Sequence, residues 1–157
     1  MPVREKPAAH LLRDLALGAI HRELRPEYRP IEALGAGPGG HGRQWDFVVR
    51  DGLENLAQAV IARVLTPRGE LAALGHPDYG SRVPELIGAG NTEATRALLR
   101  LHLLDALGRE PRIAKVTALD IIRTPGRRDS VDVRLDVLPV GASATLTIGP
   151  FRLDLGP

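Results

Sequence analysis

Glu110 and Arg112 stand on either side of Pro111, an acid and a guanidinium kept two residues apart by a rigid one. Proline disfavours the helical region for the residue before it, so Glu110 is expected to be extended. In an extended segment residues i and i+2 face the same side. The pair would then present a carboxylate acceptor and a bidentate donor at a nearly fixed spacing, which is the chemistry of a pre-organised docking element. It could equally cap the chain's own helix end or form an internal salt bridge, and residue types leave both readings open.

Glu70 and Asp78, with Glu110, are the carboxylates placed near loops. A glycosidase needs a proton-donating acid and a second carboxylate held across a sugar-binding cleft. Aromatic residues make up only 3% of the chain, too few to line such a cleft. Tyr79 and Trp45 are therefore read as packing residues, and a single-stranded nucleic-acid reader, which stacks bases on aromatics, is disfavoured for the same reason. His10, His21, His41, His76 and His102 lie apart, with no metal-type spacing. Cysteine is absent, which excludes disulfides, thiolate metal sites and a thiol nucleophile. No metal or cofactor is expected.

The elements that must position these residues follow from periodicity. Leu11, Leu12, Leu15, Ile20 and Leu24 recur at roughly helical spacing, predicting an amphipathic helix over 7–25 that Pro26 and Pro30 stop. This helix would either pack on its own domain or dock as an arm in a partner's groove. The stretch 35–42, GAGPGGHG, holds five glycines and reads as a flexible linker. No GxxxxGK[ST] follows it, so a phosphate cradle is not supported. The expected division is an N-terminal helical arm and linker over 1–43 and a main domain over 44–157.

Within the main domain, 44–50 reads as a short strand. Asp51 can cap a helix whose apolar face is Leu53, Leu56, Val60, Ile61 and Val64. Thr66, Pro67 and Gly69 end that helix, and 75–81 carries the turn residues of an ordered loop, with Gly69 and Gly80 serving backbone geometry. A second helix starts near Asn91 or Thr92, is expected to turn Ala94, Leu98, Leu101, Leu104 and Leu107 inward against the first helix, and ends at Gly108.

Beyond residue 112 the period changes to two. Residues 113–123 form one strand candidate, and a hairpin turn follows Pro125-Gly126. Val131, Val133, Leu135 and Val137 then point one way while Asp132, Arg134 and Asp136 point the other. A third strand, 144–155, carries Leu146, Ile148, Phe151 and Leu153, with Gly149-Pro150 marking a bulge or break. The expected fold class is α+β, two helices packed on a small antiparallel sheet with an N-terminal helical arm.

In this order, the first helix, LTPRGE (65–70), HPDYGS (76–81), the leucine-rich helix and EPRI (110–113) resemble one family. It is the baseplate wedge family of contractile phage tails and contractile injection systems, which includes the gene-25 product of T4-like phages and protein W of P2-like phages. The resemblance covers about 44–140. It implies a structural subunit, one copy per wedge and so six per particle, that joins the other baseplate wedge proteins to the sheath protein. It implies that Glu110, Pro111 and Arg112 attach to the wedge core. It also implies that the domain templates the first sheath ring by sharing strands, for which 144–155, through Leu146, Ile148, Phe151 and Leu153, is the candidate.

Members of the family have carried a lysozyme label, so a peptidoglycan hydrolase is the rival function. The formal charge is +2, and Arg63, Arg82, Arg100, Arg123 and Arg134 are interleaved with acids, so no nucleic-acid face is expected. The charged start does not read as a signal peptide, and no run approaches a membrane span. Assembly in the cytoplasm, then incorporation into the particle, is the expectation.

Overall fold

The computed structural model describes residues 11–22, 25–36 and 43–156. The protein is α+β, with two α-helices and nine strands among those residues, every strand pairing antiparallel. Close backbone contacts divide the chain into two units, 1–58 and 59–157, and the division falls inside the first helix. From residue 37 to 42 the expected glycine-rich linker lies outside the described residues, as do residues 7–10 of the expected N-terminal helix.

The N-terminal helix is not what the chain forms. Strands β1 (Arg13–Leu15), β2 (Leu17–Arg22), β3 (Arg25–Pro30), β4 (Glu32–Ala36), β5 (Arg43–Phe47) and β6 (Val49–Asp51) occupy the region instead. They pair as β1 with β6, β2 with β3 and β4 with β5. Gly18 would lie inside the helix and cost it about 1 kcal/mol, and a short helix is marginal without a packed face. Pro26 and Pro30 suit β3, which pairs on one side only among the described residues.

The three pairs meet at one point. Ala16 N–H donates to the carbonyl of Val48 at 2.7 Å, Val48 N–H to Ile31 at 2.7 Å, and Ile31 N–H to Ala16 at 2.8 Å, closing a ring of three main-chain hydrogen bonds. Each peptide satisfies its neighbour, so the joint leaves no orphaned polar group at these three bonds. Ala16 is fully buried there.

Helix α1 (Gly52–Leu65) begins directly after β6. Asp51, expected to cap it, instead lies in β6 with its carboxylate 3.4 Å from Arg13. In the first unit α1 reaches the joint through two amides. Gln58 donates from Nε2 to the Leu15 carbonyl and accepts at Oε1 from Leu17 N–H, both at 2.8 Å, while Asn55 Nδ2 donates to the Leu11 carbonyl at 3.0 Å. Leu56, Val60 and Val64 are buried as expected, whereas Leu53 is exposed.

The second unit holds α2 (Glu93–Gly108) and a three-stranded sheet ordered β7 (Ile113–Arg123), β8 (Ser130–Pro139), β9 (Leu146–Asp154). Thr92 caps α2 by accepting from Thr95 N–H at 3.0 Å. On β8, Val131, Val133, Leu135 and Val137 are fully buried, and their cross-strand neighbours include Leu119 on β7 and Ile148 and Leu153 on β9. The opposite face is polar, with Arg152 on Asp132 at 3.1 Å and Thr147 on Asp136 at 2.7 Å. The register shifts where Gly149-Pro150 faces Arg134, so β9 continues through a bulge.

Helix α2 buries Leu107 as expected but otherwise a different stripe from the one expected. Thr95, Leu99, His102, Leu103, Ala106 and Leu107 are buried, and Ala94, Leu98, Leu101 and Leu104 are exposed. Leucines occur on both sides of this helix, so helical spacing fits either stripe. Its closest backbone neighbours, β7 and the 3-10 turn Val83–Leu86 rather than α1, decide which face is covered.

Candidate functional site

Three of the loops that carry the sequence motifs converge in the second unit. Arg68 N–H donates to the Ser81 carbonyl and Ser81 N–H to the Thr66 carbonyl, each at 2.9 Å, so 65–70 and 76–81 run side by side. Gly80 makes this approach possible. A Cβ there would lie 2.6 Å from the Thr66 carbonyl oxygen and 2.7 Å from that of Pro67, and its φ of +99° suits glycine.

The Glu-Pro-Arg segment follows α2 directly. It is a turn, not the extended segment expected: Ile113 N–H donates to the Glu110 carbonyl at 3.0 Å, with Pro111 at the second position where its fixed φ fits. Val140 N–H donates to the Arg112 carbonyl at 2.9 Å, tying the turn to the end of β8.

Glu110 and Arg112 face each other across the turn, and the acid is spent inside the chain. Glu110 is 3% exposed. Its Oε1 accepts from Arg112 Nε at 2.6 Å, and Oε2 accepts from Arg63 Nη2 at 3.2 Å. Burial by itself would raise the Glu110 carboxyl. The hydrogen bond and charge of Arg112, its backbone N–H, and the charge of Arg63 outweigh burial and hold the pKa below the ordinary carboxylate range. Arg63 in turn lies over the Tyr79 ring, 4.5 Å from its centroid. One guanidinium thus links the 76–81 loop to the Glu-Pro-Arg turn.

In the sequence Arg63 stands only as one of several arginines interleaved with acids, with no motif to mark this role. Its one signal is its place three residues after Val60, at the border of the apolar stripe of α1. Pro111 is exposed, and the Arg112 side chain keeps 15% of its surface in solvent. Beside the turn, Arg63, His76, Pro77, Asp78, Tyr79 and Arg109 line a shallow open hollow.

The other carboxylates are set apart. Asp78 is exposed and lies 3.5 Å from Arg68 and 3.8 Å from Arg109. Glu70 is exposed. Among the described residues no three His, Asp or Glu side chains gather as metal ligands.

The four named residues of the last strand all lie on β9. Ile148 and Leu153 are buried, and Leu146 and Phe151 are partly so, all paired with the apolar positions of β8. Ile148 and Leu153 belong to the core, Leu146 and Phe151 lie at its border, and what β9 leaves open along its outer edge is main chain. It pairs with β8 on one side, and among the described residues no strand pairs on the other.

No family model, no curated protein and no solved structure matches the chain.

Proposed function

We propose that the protein is a non-enzymatic structural subunit of the baseplate of a contractile phage tail or contractile injection system, joining the wedge core to the first sheath ring. The observation that carries this reading is the open outer edge of β9 in a sheet whose apolar face is already filled. Such an edge offers unpaired N–H and C=O groups to a neighbouring chain, and strand addition satisfies them without disturbing the core. The ordered co-occurrence of LTPRGE, HPDYGS and EPRI is what points to sheath strands as the guest.

The Glu-Pro-Arg turn supports the second contact. Glu110, buried between two arginines, works as the internal anchor, while Pro111 and the outer side of Arg112 form the surface a wedge partner would meet. Because the turn is fixed before binding, docking would cost little ordering entropy. No helix among the described residues is long and apolar enough to cross a membrane.

A peptidoglycan hydrolase is the weaker reading. A glycosidase acid needs a carboxyl held proton-loaded near neutral pH, whereas Glu110 is displaced the other way and is bound to two guanidinium groups. A muramidase assay on the purified protein tests that reading. Turnover abolished by Glu70→Gln would overturn the structural one.

The decisive experiment expresses the particle genes with Arg112→Ala in this chain, after circular dichroism shows a folded variant, and images the products by electron microscopy. Incomplete baseplates without sheath are expected. Normal sheathed particles would reduce the turn to local structure.

A further inference from the structure

The exposed stripe of α2 is the least explained apolar surface of the second unit. Leu98, Leu101 and Leu104 are 47%, 60% and 42% exposed, and the exposed Ala94 and Ala97 extend the stripe toward the helix start. Contiguous apolar surface on one side of a helix is costly to leave in water and marks a contact. The charges beside it say what covers it.

Glu93 and Arg100 are seven residues, two helical turns, apart, so they lie on the same edge of the stripe. Both are exposed, and no ion pair or hydrogen bond joins either side chain to another described residue. Ala94 and Leu101 are also seven apart and run along the middle of the stripe. The midpoint of each pair falls within one residue of Ala97.

A two-fold axis beside Ala97 therefore matches both pairs at once. In an antiparallel arrangement it sets Glu93 against the other copy's Arg100, twice, and Leu101 against the other copy's Ala94, large on small. Leu98 meets its own counterpart beside the axis. We infer that α2 pairs with α2 of a second copy, antiparallel and centred on Ala97, through Ala94, Leu98 and Leu101 and two Glu93 to Arg100 ion pairs. The pairing concerns the free protein and does not depend on the baseplate reading.

The chain has no cysteine, so a single introduced thiol reports on one contact. Ala97→Cys is expected to give a disulfide-linked dimer under mild oxidation, and sedimentation equilibrium of the native protein a monomer–dimer equilibrium. Arg100→Glu, at an exposed position, should weaken the dimer about tenfold, because two attractive pairs become repulsive. The double reversal Glu93→Arg with Arg100→Glu should restore it, and Leu101→Glu should abolish it with the circular dichroism spectrum unchanged.

A native protein that stays monomeric, with no cross-link formed by the Ala97→Cys variant, would overturn the pairing and leave the stripe to another protein. A dimer that Arg100→Glu does not weaken, or that the double reversal does not restore, would overturn this register.

Discussion

The described residues of the two units are ordered by different contacts. In residues 59–157 the sheet and α2 close on aliphatic side chains, with Val131, Val133, Leu135, Val137, Leu99 and Leu103 all fully buried. In residues 1–58 the described side chains that are buried are Leu11, Ala16, Asn55 and Leu56. There the order comes from the main-chain ring at Ala16, Ile31 and Val48 and from the amides of Asn55 and Gln58. Burial scales with apolar area and is strong in total, whereas each hydrogen bond contributes only about 0.5–1.5 kcal/mol net. Substitutions should accordingly be severe in the second unit and local in the first.

The largest effect is expected where the second unit departs from its own apolar pattern. Glu110→Ala leaves Arg63 and Arg112 facing each other without their shared acceptor, and should destabilise by about 3–5 kcal/mol in urea unfolding. Because the folded-state pKa of Glu110 is depressed, its contribution is complete above the unfolded carboxylate value of about 4.3 and is lost as pH falls through the lower folded value. Native stability should thus drop in acid below about pH 4.3 more steeply than that of Glu110→Ala. Parallel acid profiles would mean that the pair contributes nothing to stability.

Leu135→Ala comes next, at about 2–5 kcal/mol, since it empties the middle of the central strand. Gln58→Ala removes two 2.8 Å hydrogen bonds at the joint and should cost about 1–2 kcal/mol locally. Amide exchange would quicken at Leu17 while β8 amides keep their protection, and uniform acceleration would show that the two units unfold as one. Leu34→Ala, on an exposed position of β4, should change stability by less than about 0.5 kcal/mol. A loss above about 2 kcal/mol, read from the same urea curves, would mean that Leu34 packs in an apolar core of the first unit.

The same contrast explains what the sequence made legible. The alternation from Val131 to Val137 is a side-chain pattern with one outcome, and the structure has it. Thr92 starts α2 through local chemistry, a side-chain cap, and the helix ends at Gly108 as expected, though Arg109 in a right-handed conformation, not a left-handed glycine, closes it. The stripe of α2 was not legible, because its leucines lie on both sides and the buried one also carries Thr95 and His102. The hairpins of the first unit look helical in sequence because main-chain bonds write no pattern into residue types, and the leucines there fall near helical spacing. Glu110 and Arg112 do face one another, but across a turn and not along the extended segment that Pro111 suggests. That the acid is buried depends on Arg63, 47 residues away in the chain, which no local reading reaches.

The main-chain ring has a consequence for how the protein can change. The chain passes the same point at Ala16, Ile31 and Val48, and what lies between two passages is a closed excursion that departs from and returns to one place. Lengthening or shortening an excursion leaves its two ends where they were. The 17–30 and 32–47 segments are therefore free to diverge in size and sequence while α1 always starts from the same exit, which makes the joint a mount for interchangeable parts.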